Sequence, residues 1–154
     1  MAWTALRNGF YAHSLGWLLG PWQETGVIAV PGDGPVSWTA REDAAEAAAI
    51  ILASNDTYEG PITLTASTAP TFRDIAAIGS ELTGRTIRLE VMDQEKWTAA
   101  QVTTGQQEFM VHFQLGIYQA AQEGFFAGVD PLLGTLLGHE PRTVRGLLEQ
   151  QTTT

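Results

Sequence analysis

The sequence predicts an α/β fold of short parallel or mixed strands with about five to six helices. Three observations lead there. Strand-like and helix-like segments alternate along the chain. Two β–α units, at 36–53 and 62–82, follow one another, each helix preceded by a threonine with an acidic residue three positions on. The composition, 44% hydrophobic and 16% charged over 154 residues, is that of one globular domain, read here as 1–150. A chain of this length buries roughly 70% of its unfolded surface.

The elements are expected in this order. Residues 4–11 (TALRNGFY) read as a strand ending near Arg7, then a loop. Residues 13–25 carry apolar side chains at helical spacing, interrupted by Gly20-Pro21. A short buried strand is expected at 27–30 and a turn at 31–35 (PGDGP), where Asp33 serves the turn, followed by a second short strand at 36–38. Thr39 and Glu42 stand in capping-box spacing before an alanine-rich helix, with Asp43 in its first turn, where negative charge favours the helix dipole. A strand at 60–66 leads to a helix opened by Thr71 and Asp74 and closed by Gly84. Residues 86–91 alternate as a strand, Asp93 caps a helix through 101, and a longer aromatic-rich helix spans 107–126. On that helix Phe109, Phe113, Gly116, Ile117 and Ala120 share the apolar face, His112 flanks it and Tyr118 points away. One or two helical turns at 130–137 and a last helix with Pro141 at its first position complete the chain, with a frayed tail at 151–154.

Charge and composition narrow the function. The net charge is −9 and Lys96 is the sole lysine, so phosphate backbones and anionic membrane surfaces are repelled and no nucleic-acid or membrane partner is expected. No apolar run approaches the ~20 residues of a membrane span, and the first residues lack the pattern of a secretory signal. There is no cysteine, hence no disulfide framework, and a cytoplasmic address is the default. The three histidines, at 13, 112 and 139, have no metal-ligand spacing, so no metal is expected. Ser14 has no nucleophile-elbow context.

Three of the five tryptophans fall in the first 22 residues. Trp17 and Trp22, with Phe10 and Tyr11, suit either a pocket for a planar apolar ligand or a core or subunit contact.

The ordered set TALRNGFYAHSL, GDGPVSWTAREDAAEAAAIIL, TFRDIAAIGSELTGRTIRLEVMD and LLGHEPRTVRGLLEQ resembles the C-terminal, substrate-binding half of atypical short-chain dehydrogenases. The nearest branch is the NmrA-like, NAD(P)H quinone-oxidoreductase-like family. In that family the stretch matching residues 4–13 lies at the mouth of the cleft, near nicotinamide and substrate. The resemblance therefore implies Asn8, Tyr11 and His13 as candidate catalytic residues and Arg7 as a candidate substrate contact; Phe10, Trp17, Trp22, Trp38, His112 and Phe113 join Arg7 as candidate substrate contacts by their aromatic character and position. The family's glycine-rich pyrophosphate loop has no counterpart here. The glycines at 9, 16–20 and 32–34 do not follow a buried strand and open a helix at the required spacing.

The chain alone is thus expected to bind no cofactor, with NAD(P) entering only if a Rossmann half completes it. Either Met1 is a true start and the half stands alone, or the chain is a fragment or subunit of a longer oxidoreductase. The leading expectation is a cofactor-independent cyclase, isomerase or lyase acting on a small apolar ligand. The alternatives are the C-terminal part of an NAD(P)H-dependent quinone or ketone reductase, and a non-catalytic NmrA-like regulator. A strand at 3–7 without Rossmann neighbours would leave an open edge, so a homodimer is expected.

Overall fold

The computed structural model describes residues 3–152. Among these residues four short strands and eight helices alternate, as the α/β expectation requires: β1 (Thr4–Asn8), a 3-10 turn (Ala12–Ser14), α1 (Leu15–Leu18), α2 (Trp22–Thr25), β2 (Val27–Val30), α3 (Arg41–Ala53), β3 (Gly60–Leu64), α4 (Phe72–Thr83), β4 (Arg88–Val91), α5 (Gln94–Thr103), α6 (Glu108–Gln122), α7 (Leu132–Leu137) and α8 (Val144–Thr152). The tail expected to fray at 151–154 lies partly outside the described residues. Among the described residues no helix is long and apolar enough to cross a membrane.

The chain divides into two compact units. The first comprises residues up to His13, Ser37–Ala69 and Gly128 onward. The second comprises Ser14–Val36 and Pro70–Ala127. Each is built around one pair of parallel strands, a pairing that needs a crossover rather than a hairpin.

In the first unit β1 pairs with β3, Thr4 opposite Gly60 through Asn8 opposite Leu64. The core beneath is aliphatic: Ala47 of α3, Leu64 of β3 and Leu133 of α7 are fully buried, with Leu6, Leu132, Leu136 and Leu137 packed around them. Ala47 is the reason α3 needs alanine, because a small face lets α7 approach closely. α3 does not begin as its sequence suggests. Its N-cap is Ala40, which makes no side-chain cap. The Thr39 hydroxyl instead donates to Ser37 O at 3.0 Å and accepts from Ala66 N–H at 3.1 Å. The strand expected at 36–38 does not form either; only an isolated bridge joins Tyr11 and Thr39. α8 starts at Val144, so Pro141 is not its first residue. Asp43, expected only to favour the helix dipole, is wholly buried and takes Arg142 N–H at 2.7 Å as well as the Arg142 guanidinium.

In the second unit β2 pairs with β4, Val27 opposite Arg88 through Val30 opposite Val91, with α4 in the crossover. Here the expected capping box is complete: Thr71 Oγ1 accepts from Asp74 N–H, and Asp74 accepts from Thr71 N–H. Asp33 of the GDGP turn adds a third bond by accepting from Phe72 N–H at 2.8 Å. Gly84 ends the helix with φ 64°.

The buried face of α6 is the reverse of the expected one. Val111, Gln114, Tyr118 and Ala121 face inward, while Phe109 and Phe113 are 76% and 54% exposed. The cause is Tyr118. Its ring sits between Phe72 (5.3 Å) and Trp97 (5.4 Å), and its hydroxyl donates to Leu18 O at 2.6 Å, so the aromatic with a polar tip is the one that can be buried and satisfied.

Candidate functional site

In parallel α/β sheets ligands gather beyond the carboxyl ends of the strands. In the first unit the carboxyl end of β1 runs directly into Asn8-Gly9-Phe10-Tyr11. Thr39 pins this loop. Thr39 N–H donates to Phe10 O at 2.8 Å and Ala12 N–H donates to Thr39 O at 2.9 Å. The loop leaves no room at Gly9: a Cβ there would stand 2.4 Å from Thr39 Oγ1. Gly9 N–H is itself spent on Leu64 O at 2.8 Å.

Fixed this way, the loop presents three polar side chains together. Asn8 Nδ2 donates to the Tyr11 hydroxyl at 3.0 Å, and the Tyr11 and His13 rings lie 5.7 Å apart. Because the Tyr11 oxygen already accepts from Asn8, its own proton remains available to an incoming acceptor, and the bond it receives makes that proton a better donor. His13 lines a cleft of about 600 Å³ with Ala12, Arg41, Glu42, Leu147 and Gln150. The first turn of α3 and the body of α8 form its other walls.

The remaining expected residues divide between the units. Arg7 is exposed on β1. Phe10 meets Trp38 edge-to-face at 5.6 Å, and Trp38, 1% exposed, is a core residue that props the loop from behind. In the second unit Trp22 is buried, its ring packed over Gly79. His112 is exposed, 3.7 Å from Glu108 one turn away. Phe113 lies on the exposed face of α6. Trp17 is partly exposed on the rim of a cavity of about 510 Å³, whose walls include Trp97, Gln114 and Tyr118. Burial pushes the Tyr118 phenol well above the ordinary tyrosine range, so it stays protonated. Sequence reading missed Gln114 and Trp97 as pocket walls and the Asp43–Arg142 pair as the tie between α3 and the start of α8. Only the i, i+4 spacing of Gln114 and Tyr118 offered a clue.

Among the described residues no glycine turn offers a cradle for a pyrophosphate. A pyrophosphate needs free backbone N–H groups on a glycine turn that opens a helix. Gly9 N–H is bonded, and the turn around Gly32 and Gly34 points its Asp33 carboxylate at the start of α4. Gly20 precedes a helix of only four residues.

No protein-family model matches the chain. It is 22% identical over 153 residues to an NmrA-like family domain-containing oxidoreductase of Aspergillus flavus, covering 97% of this chain and 50% of that protein. It is 27% identical over 144 residues to the NAD(P)H azoreductase of Xenophilus azovorans, covering 93% of this chain and 50% of that protein. Among solved structures, the Citrobacter sp. triphenylmethane reductase superposes with a TM-score of 0.87 at 24% identity, over 99% of this chain and 54% of that one. The Escherichia coli NADPH-dependent quinone oxidoreductase complexed with NADPH gives 0.84 at 23%, over 100% and 54%. The chain thus spans about half the length of the curated relatives it matches. The resemblance to the C-terminal half of NmrA-like proteins stands, and so does the α/β fold with short parallel strands. The two curated relatives are named as an oxidoreductase and an azoreductase, which favours the reductase alternative over a cofactor-independent cyclase, isomerase or lyase.

Proposed function

We propose that this chain is the acceptor-binding half of an NAD(P)H-dependent reductase of small organic molecules, with the nucleotide held by a separate half. The observation that carries the reading is the Asn8–Tyr11–His13 group, held rigidly at the carboxyl end of a parallel strand. A bound nicotinamide supplies the hydride. This chain's residues grip the acceptor and supply a proton. Reduction of a carbonyl or azo group leaves developing negative charge on oxygen or nitrogen, and the Tyr11 phenol, oriented by Asn8, is placed to stabilise it by donating. Among the described residues β1 pairs only with β3, and its second edge suits either a strand of the nucleotide-binding half or a second copy of this chain in a homodimer.

Reconstitution tests the reading. The chain is combined with, or fused behind, the nucleotide-binding half of the Xenophilus azoreductase. The assembled protein should reduce a quinone or an azo dye with NADPH, whereas the chain alone should not saturate with NADPH at micromolar concentration. Tyr11→Phe should lower kcat about tenfold with little change in KM. A folded, assembled protein that binds NADPH yet reduces neither quinone nor azo nor triphenylmethane dye would refute the proposal.

A further inference from the structure

The outward face of α6 carries two features that its own chain does not explain. Phe109 and Phe113 stand one turn apart and are both largely exposed, although side chains of that size gain most from burial. Gly116 follows on the same face, inside the helix. Glycine weakens a helix interior relative to alanine, and it is of use where φ is positive or where another group comes close. Gly116 has neither reason within its own chain. Its φ is not positive, and among the described residues a Cβ there would meet nothing outside the helix within 4 Å. A close approach from outside the chain accounts for it.

The order of residues along this face indicates what approaches. Phe109, Phe113, Gly116 and Ala120 follow one another at spacings of four, three and four, so they form one stripe, two large residues and then two small ones. Such a stripe complements its own reverse. Two copies of α6 set antiparallel about a two-fold axis between Gln114 and Leu115 bring Phe109 level with Ala120 and Phe113 level with Gly116, and each pair occurs twice. Each ring then fills the gap above a small residue, and the helices can approach to about 8 Å. Charge agrees with this pairing. The net charge of −9 sets copies of the chain against one another. In the antiparallel pair, however, Glu108 comes level with the buried Ala121 and Glu123 level with Gln106, so no carboxylate of the helix opposes another.

We propose that the outward face of α6 is a contact between two copies of this chain, with Phe109 and Phe113 of each copy packed on Ala120 and Gly116 of the other. A helix of 15 residues is about 22 Å long. One helix per copy makes a small interface, so the dimer has micromolar rather than nanomolar affinity. The contact uses neither β1 nor Asn8, Tyr11 and His13, so it stands or falls independently of the reductase reading.

Sedimentation equilibrium of the full chain, from about 1 to about 200 μM, tests this. The chain should follow a monomer–dimer equilibrium with a Kd of about 1–50 μM. Phe113→Ala and Gly116→Phe should each weaken the dimer at least about tenfold, the first by removing the ring and the second by filling the gap that receives it. The double variant exchanges large for small across the axis and should return to within about threefold of the unaltered chain. Unspecific apolar association gives the opposite order, with Gly116→Phe associating more strongly. Phe109→Ala, at the most exposed of these positions, should also weaken the dimer about tenfold and needs no added bulk to be accommodated. A chain that stays monomeric at the highest concentration overturns the proposal; if Phe113→Ala then also prevents assembly with the azoreductase nucleotide-binding half, that half is the occupant instead. A dimer that folded Gly116→Phe and Phe109→Ala chains form as tightly as the unaltered chain overturns it as well.

Discussion

Helices α3 and α4 both start one or two residues after a buried or half-buried threonine, and the two threonines do different work. At α4 the bonds are local: Thr71 and Asp74 satisfy each other's backbone within one turn. At α3 the bonds reach far. Thr39 ties the chain at Ser37 to Ala66, and Asp43 in the first turn is paired with Arg142, 99 residues on. A local cap stabilises its helix and little else. A long-range tie makes the first turn of the helix part of whatever the loop around it holds, and here that loop carries Asn8, Tyr11 and His13. Damage at the start of α3 should therefore reach the candidate site, and damage at the start of α4 should not.

The largest effect is expected at the ion pair. Asp43 is fully buried, whereas the Arg142 side chain is 42% exposed. Arg142→Ala leaves a buried carboxylate with one backbone N–H for company. Removing one member of a buried pair costs about 3–5 kcal/mol, and partial exposure of the arginine lowers that here to about 2–3 kcal/mol. The melting temperature should fall by about 5–10 °C. Because α8 lines the cleft through Leu147 and Gln150, the His13 ring resonances should shift in the same variant. A melting temperature within a degree of the unaltered chain would show that the pair does not anchor α8.

Thr39→Val comes next. The shapes match, so the change isolates the hydroxyl. It strands the buried Ala66 N–H, at about 1–3 kcal/mol, and amide exchange at Ala66 and Ala12 should quicken. Gly9→Ala presses on the same hydroxyl from the other side and should cost a similar ~1–3 kcal/mol through overpacking. Thr71→Ala removes only a local cap, at about 1 kcal/mol, and should leave the Tyr11 and His13 resonances in place. If Thr71→Ala moves them as far as Thr39→Val does, the contrast between the starts of α3 and α4 is lost.

The same contrast explains what could be read in advance. Both helices are preceded by threonine with an acidic residue three positions on, and only α4 forms the box. The spacing is a local signal, and it decides the outcome only where no distant group competes for the hydroxyl. Ala66 competes for Thr39, and that contact spans 27 residues that no local pattern reports. The same holds on α6. Apolar periodicity favours the phenylalanine face, but a tyrosine with a carbonyl to meet 100 residues away takes the buried side. Strands β1 to β4 and the caps at Thr71, Gly84 and Asp93 were legible because each is specified within a few residues. The cavity around Gln114 was not, since its walls come from separate stretches of chain, from Trp17 to Ala29 and from Trp97 to Tyr118.

The smallest stability effect belongs to the residue with the largest expected effect on chemistry. Tyr11 is 37% exposed, and its hydroxyl accepts one surface bond from Asn8. Tyr11→Phe keeps the ring beside His13 and the backbone bridge to Thr39, so its stability should stay within about 0.5 kcal/mol of the unaltered chain. Activity in the assembled reductase should nonetheless drop about tenfold in kcat. Asn8→Ala should have a milder effect of the same kind, because the phenol stays but loses the partner that orients it. A residue placed only for packing gives the opposite pattern, with stability lost and kcat per folded molecule retained. Thermal melts and turnover measured on the same preparations therefore distinguish a loop tied down to hold a proton donor from one tied down merely to close the end of β1.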